Sequence, residues 1–167
     1  MIYEYGLFNE FKIISEIQYE RLKDDLNYLE QGGLFSLKVN KYNLINKVSC
    51  YVVNATFACE IALKGILRLN QNIQHNYDQK VTRSHRLDEL FNLLLYEQQE
   101  FILDELPLLR TIEDLKQELN IVGNNFMDWR YSFQIVRVNG EDNSLKTNVF
   151  FIKDFLNAIN KLLIGFL

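Results

Sequence analysis

Apolar residues along this chain recur mostly three and four positions apart, the period of a helix that buries one face. Phe11, Ile14, Ile17, Leu22, Leu26 and Leu29 keep that rhythm and predict a first helix over 10–31. The QGG at 31–33 ends it, with Gly32 or Gly33 suited to the C-terminal cap. Residues 34–42 read as irregular or briefly extended. The longest run, from about Asn43 to Asn70, predicts a second helix of ~42 Å at 1.5 Å per residue. The polar, aperiodic stretch NQNIQHNYDQKVTRS that follows is a loop. Periodicity resumes at Leu87, Leu90, Phe91 and Leu94, with Ser84 as a candidate N-cap. A short helix near 97–104 stops before Pro107. Leu115, Leu119, Val122, Phe126, Trp129 and Phe133 form a seam along one long helix over 108–132. The β-branched Ile135, Val136 and Val138 beside the turn signal NGED predict a short β-hairpin or an ordered loop near 134–149. A last apolar helix over 150–166 carries Phe151, Phe155, Ile159, Leu162 and Leu163. The expected fold is all-α, a bundle of about five helices forming a single domain over 1–167, with any hairpin its one β element.

The second helix holds an anomaly. On a helical projection Ala55, Ala58, Ala62 and Gly65 share one side, small enough for a close helix–helix approach. Opposite them lie Asn46, Ser49, Thr56, Glu60, Lys64 and Arg68, with Val53, Phe57 and Leu67 interleaved. Two readings stand. The stripe faces water, and Glu60–Lys64 is a surface i,i+4 pair of ~0.2–0.5 kcal/mol. Or it faces a groove, where Glu60 and Lys64 orient other polar groups such as His85 or Arg130 and need partners for their remaining hydrogen-bond sites.

Composition narrows the setting. One proline and seven glycines in 167 residues leave few forced breaks, which favours long helices, and 48% hydrophobic residues suffice for a core. No segment reaches 18 uncharged apolar residues, so no membrane span is expected. The opening MIYEYGLFNEF lacks the basic region of a signal peptide. Cys50 and Cys59 lie nine apart in one helical run, ~13 Å along the axis, too far for a disulfide. Reduced core cysteines in a cytoplasmic protein are the expectation. A net charge of −4 argues against generic, charge-driven nucleic-acid binding. It leaves room for a local basic site, and Lys80, Arg83, His85 and Arg86 do cluster within seven positions.

Nucleotide-binding loops, the serine-nucleophile elbow and the zinc-protease helix motif are all missing. Two histidines and two helix-bound cysteines do not make a usual zinc site, so neither metal nor cofactor is expected. Carboxylate neighbours such as Asp24/Asp25, Asp88/Glu89 and Glu113/Asp114 point about 100° apart on a helix and read as solvated faces.

Three stretches remain: ACEIALKGIL, RSHRLDELFNLL and NNFMDWRYSF. In this order and spacing they resemble HEPN domains (higher eukaryotes and prokaryotes nucleotide-binding), over roughly residues 45–135. The likeness is to those with a Glu-(apolar)3-Lys core helix, a following His-x-Leu-x-x-Leu helix and a late aromatic-Arg-Tyr. That resemblance implies a small helical bundle, often a homodimer, and a cytoplasmic role in bacterial toxin–antitoxin, abortive-infection or CRISPR systems. It implies RNA or nucleotide as partner, a cognate partner protein in some systems, and metal-independent RNA cleavage in many members. Their usual signature is an arginine, then four to six intervening residues, then a histidine, late in the bundle. Here Arg130 and Arg137 have no histidine after them. The one match in spacing, Arg68-x6-His75, falls at the end of the second helix with Leu69 in place of the usual polar residue, and reads as coincidence. The candidate site is therefore a non-standard set. His85 and Arg130 are the catalytic candidates, and Glu60, Lys64, Tyr131, Arg83 and Arg86 the binding ones. His85 serves as a base, or else caps or packs a helix start. Arg130 clamps a phosphate or carboxylate, or else bridges to Glu60 with Tyr131 as a packing anchor. The rival to an RNA-binding module is an inert HEPN-like domain that dimerises or docks a protein. The aromatic tail NVFFIKDFLNAINKLLIGFL is then an interface, or simply a core helix.

Overall fold

The computed structural model describes residues 2–26, 34–36, 42–71, 83–130 and 146–166. Five of its helices have nine residues or more: α1 (Ile2–Leu26), α2 (Tyr42–Gln71), α4 (Tyr96–Asp104), α5 (Ile112–Val122) and α7 (Val149–Ile164). Two short helices, α3 (Leu87–Phe91) and α6 (Asn125–Arg130), complete an all-α bundle. Strands β1 (Leu34–Ser36) and β2 (Lys146–Asn148) pair antiparallel, with Leu34 opposite Asn148 and Ser36 opposite Lys146.

Helix α2 is the axis of the molecule, with α1, α3, α6 and α7 packed around it. Its middle is covered on nearly every side: Tyr51, Val52, Ala55, Ala58, Cys59, Ala62, Leu63 and Ile66 are all buried. Exposed positions such as Asn46, Cys50 and Arg68 lie towards its ends. The stretch Asn46–Asn70 is long and apolar enough to span a bilayer, with mean hydropathy 1.4, but 61% of that window is buried inside the fold. Its apolar surface is thus directed to the protein's own core. Both cysteines are free, as expected, though Cys50 is exposed rather than in the core.

Two expectations need correction. Helix α1 begins at Ile2, a full two turns before position 10, and its buried stripe is Phe8, Ser15, Tyr19 and Leu22. Ile14 and Ile17, expected in the core, are exposed. The long helix expected over 108–132 is two helices, α5 and α6, separated at Gly123. Strand β2 pairs with the distant β1, and the hairpin expected near 134–149 falls mostly outside the described residues. The first loop beyond 71 also lies mostly outside them. The C-terminal helix behaves as core: Phe151, Ile152, Phe155, Leu156, Ala158, Ile159 and Leu163 are buried, while Phe150, Ile164 and Phe166 remain exposed.

The glycine at the break has a packing role. A Cβ there would stand 2.4 Å from Asp88 Oδ1 and 2.7 Å from the Leu119 carbonyl oxygen. Without one, α3 approaches closely, and the Leu87 N–H donates to the Gly123 carbonyl at 2.9 Å. This bond fixes where α3 starts. At the first residue of α6, Asn125 donates to Thr147 Oγ1 at 2.6 Å, both buried, tying α6 to β2. Asn148 then caps α7, accepting from Phe151 N–H at 3.0 Å, and donates to Glu118 of α5 at 3.0 Å. A cleft of about 230 Å³ opens beside this cap, walled by Leu106, Leu108, Leu109, Phe150 and Phe151, with Glu118 and Asp154 at its edge.

Two measurements follow. Gly123→Ala should lower stability by about 1–3 kcal/mol in a urea titration, since the Leu119 carbonyl belongs to the backbone and cannot swing aside. Asp154→Asn tests a charge held in partly apolar surroundings. Burial raises the Asp154 carboxyl, and nearby Lys153 offsets this only in part. A carboxyl raised in the folded state favours folding fully below its unfolded value and loses that contribution as pH climbs through the folded one. Asp154→Asn should therefore raise the melting temperature at pH 7, and the gain should vanish below about pH 4.

Candidate functional site

Glu60 sits mid-way along α2, and its side chain is 4% exposed. An isolated carboxylate in such a place is strongly disfavoured. One turn on, Lys64 supplies the first donor, its Nζ 2.8 Å from Glu60 Oε1. The second donor comes from outside the helix: His85 Nδ1 lies 3.0 Å from the same oxygen. Glu60 Oε2 accepts no hydrogen bond among the described residues. The polar stripe of α2 is therefore not a solvated face at its centre. Thr56, one turn earlier, is fully buried and donates back to the Val52 carbonyl at 2.6 Å.

The turn that carries His85 is anchored on both sides. Arg86 is extended, at φ −90° and ψ 123°, and precedes the first residue of α3. Ser84 does not cap α3 itself. Its Oγ accepts the Arg86 N–H at 3.1 Å and donates to Glu89 at 2.7 Å. Arg86 grips Asp88 through Nε and Nη2, at 3.1 and 2.8 Å, and this pairing raises the guanidinium's pKa further. With the Leu87–Gly123 bond, these contacts hold the histidine over the carboxylate. Its side chain is nevertheless 49% exposed.

An aromatic column backs the imidazole. Phe126 of α6 lies 6.2 Å from His85, centroid to centroid, and stacks on Phe57 of α2 at 4.8 Å and 18°. Phe57 in turn meets the edge of Phe11 on α1 at 4.7 Å. Arg130, one turn beyond Phe126, places its guanidinium carbon 5.5 Å from that ring's centroid and remains exposed. The three stretches singled out in the sequence thus converge: ACEIALKGIL through Glu60 and Lys64, RSHRLDELFNLL through His85, and NNFMDWRYSF through Phe126 and Arg130.

The candidates divide accordingly. Glu60, Lys64 and His85 form one hydrogen-bonded group, and Arg130 lies over Phe126, a ring that His85 also borders. Arg86 pairs with Asp88 and Glu89 and so holds the turn. Arg83 is exposed. Tyr131 and His75 lie outside the described residues. Phe126 was legible only as a seam residue; its place four before Arg130, with Phe57 three before Glu60, was the available signal. Burial holds the Cys59 thiol well above its ordinary range, so it is no nucleophile near neutrality. Among the described residues no three His, Cys, Asp or Glu side chains gather where one ion could bind.

Chemically, the arrangement selects a tautomer. A carboxylate oxygen that already accepts from an ammonium can only accept, so Nδ1 donates. In the neutral imidazole Nε2 then carries the lone pair, on the half-exposed ring. Nitrogen–proton correlation NMR should find His85 in the Nδ1-protonated tautomer in wild type, and a tautomer mixture in Glu60→Gln. Stability should respond unequally to the two partners. Glu60→Ala leaves Lys64, whose side chain is 15% exposed, without its carboxylate and should cost about 2–3 kcal/mol. His85→Ala removes one hydrogen bond at a half-exposed site and should cost less than about 1 kcal/mol. Compared with protein-family models, with curated proteins and with solved structures, the chain matches none.

Proposed function

We propose that the chain is a cytoplasmic HEPN-like module of a bacterial defence or toxin–antitoxin type system that binds RNA and cleaves it without a metal. The observation that carries this reading is His85: half-exposed, with Nδ1 held on a buried carboxylate. That pairing is how a histidine is prepared for proton transfer, because the orienting acid fixes both the ring and its tautomer. In the proposed step, His85 Nε2 takes the proton of an RNA 2′-hydroxyl. The freed oxygen attacks the adjacent phosphorus, forming a 2′,3′-cyclic phosphate, and the P–O5′ bond breaks. The 5′-oxygen leaves with a proton from the imidazolium, which restores the base. Arg130, exposed over the Phe126 ring that His85 also borders, supplies the positive charge for the phosphate. Glu60 and Lys64 are positioning residues.

A second reading draws on the exposed isoleucines of α1: an inert HEPN-like domain that dimerises or docks a protein partner. Cleavage of a mixed tRNA pool in EDTA separates the two. Wild type should cut. His85→Ala and Arg130→Ala should lose about 100-fold or more while keeping their circular dichroism. Glu60→Gln should retain a tenth to a hundredth of the rate. Absence of cleavage by wild type, with folded variants indistinguishable from it, would assign the cluster to structure and favour the docking reading.

A further inference from the structure

Helix α1 has two apolar faces, and the fold uses one. Phe8, Ser15, Tyr19 and Leu22 are buried, with Phe11 partly covered beside them. At 100° per residue, the stripe of Ile13, Ile14 and Ile17 centres about 200° from that face. These isoleucines are 47%, 42% and 52% exposed. A helix apolar on two opposite sides belongs in an interior, yet one side here meets water. Three isoleucines at i, i+1 and i+4 form a patch, unlike the scattered single apolar residues normal on a surface.

The ends of the patch indicate what covers it. Glu10 lies a turn before the isoleucines and Arg21 a turn after them, both exposed on the same face. Among the described residues neither has an ion-pair partner. The flanking charges differ: Lys12 pairs with Glu16, and Glu20 with Lys23. Opposite charges at the two ends of an apolar stripe are self-complementary under a two-fold rotation. A parallel pairing would set Glu10 against Glu10, and a uniformly acidic or basic partner would suit one end only.

We infer that α1 pairs antiparallel with α1 of a second copy of this chain, about a two-fold axis passing between Ser15 and Glu16. That axis sets Ile14 against Ile17 of the second copy, and Glu10 against Arg21 of the second copy, each twice. The inference rests on α1 alone and is independent of the reading given to Glu60 and His85.

Sedimentation equilibrium of the full chain, from roughly 1 to 100 μM, tests it. Wild type should show a monomer–dimer equilibrium. Ile17→Lys should be monomeric throughout with unchanged circular dichroism, because its site is at the surface of the single chain. Glu10→Arg and Arg21→Glu, which place like charges together at both ends, should each raise the dimer dissociation constant about tenfold. The double variant carrying both changes should return it to within about twofold of wild type, which a general weakening of the fold would not do. A wild type that is monomeric across the range overturns the inference. So does a dimer that survives Ile17→Lys, or charge variants whose combination fails to restore pairing.

Discussion

A carboxylate withdrawn from water in the middle of a long helix must be met by donors, and Glu60 imposes that requirement on everything around α2. Its own helix provides one donor, Lys64, simply by periodicity. The other has to arrive from elsewhere in the chain, and the fold arranges for it to be His85. That arrival depends on a turn held by Ser84, Arg86 and Asp88, and on α3 starting where the Gly123 carbonyl accepts its first N–H. Gly123 in turn marks the point where the expected single helix divides. The bundle's least regular features are thus the ones that bring an imidazole against a buried carboxylate. Regular helices alone would have left the two far apart.

Much of the architecture could be read from apolar spacing. The boundaries of α2, α4 and α7 lie within a residue or two of expectation, since their apolar positions are dense and their ends carry asparagine or precede proline. Helix α1 was partly misread because it is apolar on both sides: Phe11 and Leu22 of the expected stripe do meet the core, while Ile14 and Ile17 lie on the opposite face. Ser15, a polar residue in the buried face, added to the error; its hydroxyl is satisfied within the helix by the Lys12 carbonyl. The break at 123 was missed for a different reason. Leu119, Val122, Phe126 and Trp129 keep helical spacing straight across it, and the approach of α3 that Gly123 admits comes from a segment remote in sequence. The pairing of β1 with β2 is likewise long-range, and no local pattern announces it.

The same contrast applies to the site. Glu60, Lys64, His85 and Arg130 were identifiable as residues, because a charged pair inside an apolar helix is conspicuous and the three stretches stood out together. Their roles were not. Arg86 stood among basic neighbours, and only the structure shows its fork on Asp88. Phe126 looked like ordinary core, yet it is the ring that both His85 and Arg130 border. Composition also pointed away from what the site offers: an acidic chain overall places an imidazole, an ammonium and a guanidinium around one small region.

The β1–β2 ladder is only three residues deep, yet it acts as an alignment gauge for the second half of the molecule. Thr147 faces inward to Asn125, and Asn148, the next residue, caps α7 and binds Glu118. No linker separates strand from cap or cap from helix, so there is no slack to absorb an error. A slip of one residue in the pairing would turn Thr147 to the opposite face, away from Asn125, and carry Asn148 away from Glu118. Helix α6 and helix α7 would then lose their anchors together. The correct register is thereby specified by side chains beyond the sheet, and a strand too short to determine its own alignment inherits it from the helices on either side.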